Sequence, residues 1–265
     1  MITIGKYVKP NTLDEAYDYL QAKNAQIIGG GAFIKMGSKR ISTAIDLSNI
    51  LLEAICEYED HCTLGAMTTL HDVESNKYLK EIYGSYLEDS VKDLTGIQLR
   101  NMATYGGTVY SRYGFSDPNT ALLALNAKVK FHSSGTFDID NYFENGLETG
   151  TKDILTHIIL PKDADKLSFK AFRNSKGDYA ILNCAVARRN GDFNIAIGAR
   201  PNRSKLASAA MKYLNSNPHT KETIERVSII ASEELVFGTN SRASAEYRRE
   251  ICKVLVKRAL TEVLL

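Results

Sequence analysis

The stretch Thr95–Asp117, TGIQLRNMATYGGTVYSRYGFSD, decides how the rest of the chain is read. Thr104 stands two places before the pair Gly106-Gly107, and the stretch closes on Ser116-Asp117-Pro118, a capping hydroxyl and a first-turn proline that announce a helix through the apolar run Ala121–Leu125. A second cluster, Gly29-Gly30-Gly31, lies upstream at the end of the apolar segment Ala25–Ile28. Glycine tolerates positive φ, so either cluster alone reads as a tight turn. Successive residues with little side chain also leave peptide N–H groups open to an anion. Two such turns suit the two phosphates of a dinucleotide. Asp117 has two readings: it complements the orphan N–H groups of its helix, a role worth about 0.5–2 kcal/mol, or it accepts hydrogen bonds from ligand hydroxyls.

Three familiar nucleotide and catalytic motifs fail here. GGGAFI at Gly29–Ile34 supplies the first two glycines of G-x-G-x-x-G but has Ile34 where a small residue lets helix and strand pack closely. The interval to the next strand, Thr43–Leu47, is too short for a full crossover helix and is broken by Gly37-Ser38. Walker and nucleophile-elbow sequences are absent.

Outward from the glycines, Thr12-Leu13-Asp14-Glu15 is a capping box ahead of a first helix of about ten residues. Ala54–Tyr58 and Cys62–Ala66 flank a polar turn and predict a hairpin, and Met67–Leu87 reads as mainly helical. Strands are expected at Ala127–His132 and Ile154–Leu160, the latter closed by Pro161. The charged run Lys162–Lys166 then reads as a break, and a domain boundary is placed there. Beyond it come strands at Leu167–Arg173, Ala180–Arg188 and Phe193–Ala199. A last helix, about Ala243–Leu264, is expected to carry Tyr247, Ile251, Val254, Leu255 and Leu260 on its apolar side, with Arg248, Arg249, Lys253, Lys257 and Arg258 solvated.

Composition narrows the function classes. The 265 residues allow one large or two medium domains, and a net charge of +2 gives no reason to expect nucleic acid. No apolar run approaches the roughly 18–20 residues of a membrane helix, and the first residues lack a signal core, so a cytoplasmic protein is expected. Cys56, Cys62, Cys184 and Cys252, like the five histidines, are scattered without metal-ligand spacing. Redox chemistry here would require a borrowed cofactor.

Taken in order, the GGG turn, Gly65-Ala66-Met67-Thr68-Thr69, Gln98–Gly107, Ser116-Asp117, Asp153-Ile154-Leu155, Lys170 ahead of Asp178-Tyr179-Ala180, and Arg242–Arg249 resemble the FAD-binding medium subunit of the molybdenum hydroxylases, the xanthine dehydrogenase and carbon monoxide dehydrogenase family. The resemblance implies an α+β fold. An FAD-binding domain of the vanillyl-alcohol-oxidase/CO-dehydrogenase-flavoprotein type would span 1–163, in subdomains of about 1–53 and 54–163, with a smaller α+β domain at 164–265 closing over the flavin. It places Gly29, Gly30, Gly31, Ala32, Phe33, Thr104, Gly106, Gly107 and Asp117 around the phosphates and ribityl chain, and Leu94 beside the adenine. Leu155, Lys170 and Tyr179 would approach the flavin ring; from local sequence alone they read as a core strand residue, a surface cation and a domain-edge ring.

The implied partners are a molybdopterin-binding large subunit and a [2Fe–2S] small subunit, with NAD⁺ or another electron acceptor. The rivals are a stand-alone flavin reductase and a scaffold subunit that has lost FAD. Ala32 and Phe33 stand where the family has Thr or Ser and then a polar residue, and Thr108 where it has Asn. Each change alters a hydrogen bond worth about 0.5–1.5 kcal/mol, so a weakened FAD site is expected.

Overall fold

A computed structural model describes residues 1–264; Leu265 lies outside the described residues. Three sheets carry the described residues. The first is parallel, with β1 (Thr3–Val8), β2 (Ala25–Ile28) and β3 (Arg40–Asp46) in the order β1-β3-β2. The helix Leu13–Leu20 joins the first two strands and buries Ala16 and Leu20 against Ile45 and Leu47. Thr12 caps it by accepting from the Glu15 N–H, while the Glu15 carboxylate accepts from Asn11 one residue further out.

The second sheet is antiparallel and contains β4 (Ile55–Glu57), β5 (His61–Gly65), β6 (Lys128–Phe131), β7 (Thr136–Asp138) and β8 (Leu155–Pro161) in the order β4-β5-β8-β6-β7. The expected hairpin is β4-β5, and the helices Leu70–Ser75, Lys77–Tyr83 and Tyr86–Asp89 occupy the predicted helical stretch. Helix Asp117–Ala124 is buried at all eight positions, which is why its sequence shows no polar face.

The third sheet, also antiparallel, orders β9 (Ala164–Phe172), β10 (Leu182–Arg189), β11 (Asp192–Gly198) and β12 (Lys205–Leu206) as β12-β11-β10-β9. Helices Ser208–Asn215, Lys221–Glu234 and Ala245–Leu264 cover it with Ile224, Val227, Leu255 and Leu260.

Two sequence expectations change. The charged run Lys162–Lys166 is not an extended break: β9 begins at Ala164, because Asp163 pairs with Arg189 and Asp165 with Arg188 on the neighbouring strand. The final helix is also rotated from its expected face. Tyr247 and Val254 are exposed, and Arg248, Cys252, Val256, Ala259 and Val263 turn inward with Leu255 and Leu260. Arg248 is 1% exposed instead of solvated. Its guanidinium donates to the carbonyls of Ile181, Gly238 and Ala243 and to Asn240 Oδ1, which meets the rule that a buried charge must be satisfied.

Candidate flavin cleft

The cleft lies at the carboxyl end of β2, where open parallel sheets characteristically present ligands. Its volume is about 370 Å³, within the range of small-molecule sites. Its walls come from the crossover between β2 and β3, helix Tyr105–Ser111, the start of β8 and the Tyr179 loop.

At the first turn Gly30 and Gly31 adopt φ of +72° and +69°. The N–H groups of Gly30, Gly31, Ala32 and Phe33 donate to no group among the described residues, whereas the Gly31 and Phe33 carbonyls accept from Lys35 and Met36. Unused donors therefore accumulate on one short segment, the arrangement that receives an anion. Gly30 itself does not line the cleft; a side chain there would collide with the Met102 carbonyl.

The second turn is built differently. Its four N–H groups are engaged: Tyr105 donates to the Thr68 carbonyl, Gly106 to that of Ala66, Gly107 to Thr104 Oγ1 at 3.1 Å and Thr108 to the Thr104 carbonyl. Gly106 lies so close to Ala66 that a Cβ would meet its backbone, and a Cβ on Gly29 would lie 2.8 Å from Thr104 Oγ1. The two turns, expected to open together toward one ligand, instead pack on one another, and the run of open amides lies on the first.

Of the residues singled out in the sequence, Gly29, Gly31, Ala32, Phe33, Leu94, Thr104, Gly106, Gly107, Leu155 and Tyr179 line this one cleft. Asp117 does not. It is fully buried, and its carboxylate accepts from Arg173 and from Asn183 across the domain seam. Burial pushes its pKa up, against the pull of Arg173. A carboxylate without water needs an internal cation, and that need leaves both oxygens occupied. Ser116 and Pro118 on either side do reach the cleft. Lys170 also lies away from it, its Nζ 2.5 Å from Glu262 of the final helix.

Sequence reasoning missed the rings of Tyr113 and Phe115. Phe33 packs on both at centroid distances of 5.0 and 5.2 Å, and Phe115 meets Tyr179 at 4.8 Å, so four rings join the glycine turn to the C-terminal domain. Their signal was the spacing Tyr110-x-x-Tyr113-x-Phe115 just after the glycines. Lys152 lines the cleft too, but its Nζ donates to the carbonyls of Leu20 and Ala22, closing the end of the first helix.

Open amides beside an apolar, ring-walled cleft suit a molecule with flat rings and an anionic middle, and FAD meets that description. Residues 3–163 match the family model described as the FAD binding domain in molybdopterin dehydrogenase. The chain belongs to this family. Residues 167–263 match the CO dehydrogenase flavoprotein C-terminal domain. Relatives include the glyceraldehyde dehydrogenase medium chain of Sulfolobus acidocaldarius, 26% identical with 97% of each chain covered, and the nicotine 6-hydroxylase medium subunit of Paenarthrobacter nicotinovorans, 26% identical over 97% of this chain and 96% of that one. A carbon monoxide dehydrogenase structure from Hydrogenophaga pseudoflava shares the fold, with a TM-score of 0.88, 23% identity and coverage of 97% and 96%. The chain is therefore an FAD-binding oxidoreductase subunit of two α+β domains. Among its described residues no helix is long and apolar enough to cross a membrane, and no three His, Cys, Asp or Glu side chains gather as a metal site.

Proposed function

We propose that this subunit carries electrons between a [2Fe–2S] partner and an acceptor such as NAD⁺, while a molybdopterin subunit oxidises the substrate, all in the cytoplasm. The supporting observation is the run of unpaired N–H groups from Gly30 to Phe33 at the edge of an apolar cleft. FAD would supply the exchange between one- and two-electron transfer. The chain's residues do the holding. The Gly30–Phe33 amides receive the pyrophosphate, Thr104 and Gly107 press the first turn into place, and Leu155 and Tyr179 exclude water from the apolar end. Leu94 closes the side expected for the adenine. The division between the FAD-binding and C-terminal domains is placed at residue 163, between β8 and β9.

The scaffold alternative draws on the same rings, since Phe33 stacks on Phe115 where a polar family residue would face the cofactor. A visible spectrum of the purified chain, followed by FAD titration, separates the two. Saturable binding with flavin absorption supports the electron carrier; absence of both leaves the scaffold. Co-purification of molybdopterin and iron–sulfur subunits checks the assembly.

A further inference from the structure

A second cavity, of about 470 Å³, adjoins the flavin cleft, and Phe33, Phe115 and Tyr179 line both. Beyond the rings, small apolar residues such as Ala180 and Pro201 share the wall with four polar side chains, Asn202, Arg203, Asn240 and Arg242, from two loops of the C-terminal domain. The hydrogen bonds of these four side chains are lopsided. Asn202 Oδ1 accepts from the Arg203 N–H, and Asn240 Oδ1 accepts from the Arg242 N–H at 3.0 Å and from Arg248 Nη2 at 2.7 Å. Those donors fix which amide atom is oxygen, so each Asn turns its NH₂ away from the contact and finds no acceptor for it among the described residues.

The arginines repeat the pattern. Arg203 uses only Nη1, on the Glu144 carbonyl, and Arg242 uses Nε and Nη2 on Asp178, leaving Nη1 free. Every uncommitted polar group of the four is thus an N–H donor, two of them on guanidinium groups. No carboxylate lines the cavity. Arg242 also lies 5.3 Å from the Tyr179 ring centre, which fixes the guanidinium at the border between the polar and aromatic walls.

The geometry points to a second ligand site, separate from the flavin cleft, for a phosphorylated ring compound of mononucleotide size: phosphate on the free donors of Arg203, Asn202 and Arg242, ring against Phe115 and Tyr179. Guanidinium and amide donors match phosphate oxygens, and charge assistance makes such bonds the strong ones. Because the ring layer is shared, occupancy of this cavity must register in the flavin cleft.

The test uses the full chain loaded with FAD and titrated with 5′-AMP, followed by calorimetry and by the visible difference spectrum, with inorganic phosphate as the ring-free control. Expected are saturable AMP binding with a perturbed flavin spectrum, weaker phosphate binding, and an AMP Kd raised about tenfold by Arg203→Gln, the loss of one charge-assisted bond. Arg203 is exposed and holds only one backbone carbonyl, so an unchanged melting temperature checks that the variant folds. AMP that fails to saturate, that binds Arg203→Gln equally well, or that releases FAD into solution overturns the proposal. The same calorimetry on the FAD-free chain separates it from the flavin reading. An Arg203-dependent AMP site in a chain that takes up no FAD sinks the flavin carrier and leaves the second site standing.

Discussion

The two glycine turns look alike in sequence and do different work. Gly29-Gly30-Gly31 ends a parallel strand and opens a run of unpaired amides from Gly30 to Phe33; Thr104-Tyr105-Gly106-Gly107 begins a helix, and its amides from Tyr105 to Gly107 are all engaged. One offers donors to a ligand, and the other gives up its side chains so that backbone can lie against backbone. Glycine enrichment alone therefore does not mark an anion site. What marks it is the fate of the N–H groups, and that depends on whether the following residues coil into a helix on the spot.

The sharpest break in this comparison comes at Gly30, the first-turn glycine that behaves like one of the second turn. Gly30→Ala would drive a Cβ into the Met102 carbonyl while holding an unfavourable positive φ, and both neighbours are backbone that cannot rotate aside. Such a collision belongs with the exceptional substitutions, at about 4 kcal/mol or more. The expected result is a chain that fails to fold or melts far below the parent, seen by circular dichroism. Near-parental melting would mean that the two turns do not meet as described.

Asp117 gives the next largest effect and separates a structural carboxylate from a ligand-binding one. Asp117→Ala strands Arg173 in the seam, and removing one partner of a buried pair costs about 3–5 kcal/mol. Denaturant unfolding is expected to show that loss, with FAD affinity of the folded fraction unchanged. A variant of parental stability with weakened FAD binding would restore Asp117 to the ligand.

Gly31→Ala reverses the balance. The new methyl meets only Ile28 Cγ2, at 3.4 Å, so the fold loses about 1–2 kcal/mol from the left-handed backbone alone. FAD affinity is expected to fall about tenfold or more as the turn rotates its amides out of line, the equivalent of one or two hydrogen bonds. Equal FAD titrations for parent and variant would remove the open amides from the binding site.

Most strands and the capped helices were legible because their signals are local: Thr12 and Ser116 as caps, the apolar segment of β8 closed by Pro161, the polar turn between β4 and β5. The cleft was legible in part for the same reason, since glycine announces itself. What escaped was set by partners distant in sequence. Asp117 reads as a cap or a ligand until Arg173, 56 residues on, takes its carboxylate. Arg248 reads as a solvated cation until the Ile181 carbonyl, 67 residues back, takes its Nε beside the nearer carbonyls of Gly238 and Ala243. Phe33 reads as a defect in a polar turn until Tyr113 and Phe115 fold back onto it. Each long-range pairing changed the meaning of a residue without changing the element that carries it.

The smallest effect concerns the wall behind the second turn. Ala66, against which Gly106 rests, donates its N–H to the Thr156 carbonyl of β8, and the next residue there is His157, whose buried Nδ1 has no partner among the described residues. Burial, helped by Lys130, holds its pKa below the ordinary histidine value. The folded chain then binds fewer protons at this ring than the unfolded chain, so the contribution is complete above the unfolded pKa of about 6.5 and is lost as pH falls through the lower folded value. Stability is expected to decline slightly between pH 7 and pH 5, and His157→Gln is expected to flatten that slope. Because the proton enters behind Gly106 and not at Gly31, FAD affinity measured over the same interval should stay level while the melting temperature falls. A parallel fall in both would tie the ligand-binding turn to the packed one more tightly than their separate hydrogen bonding indicates.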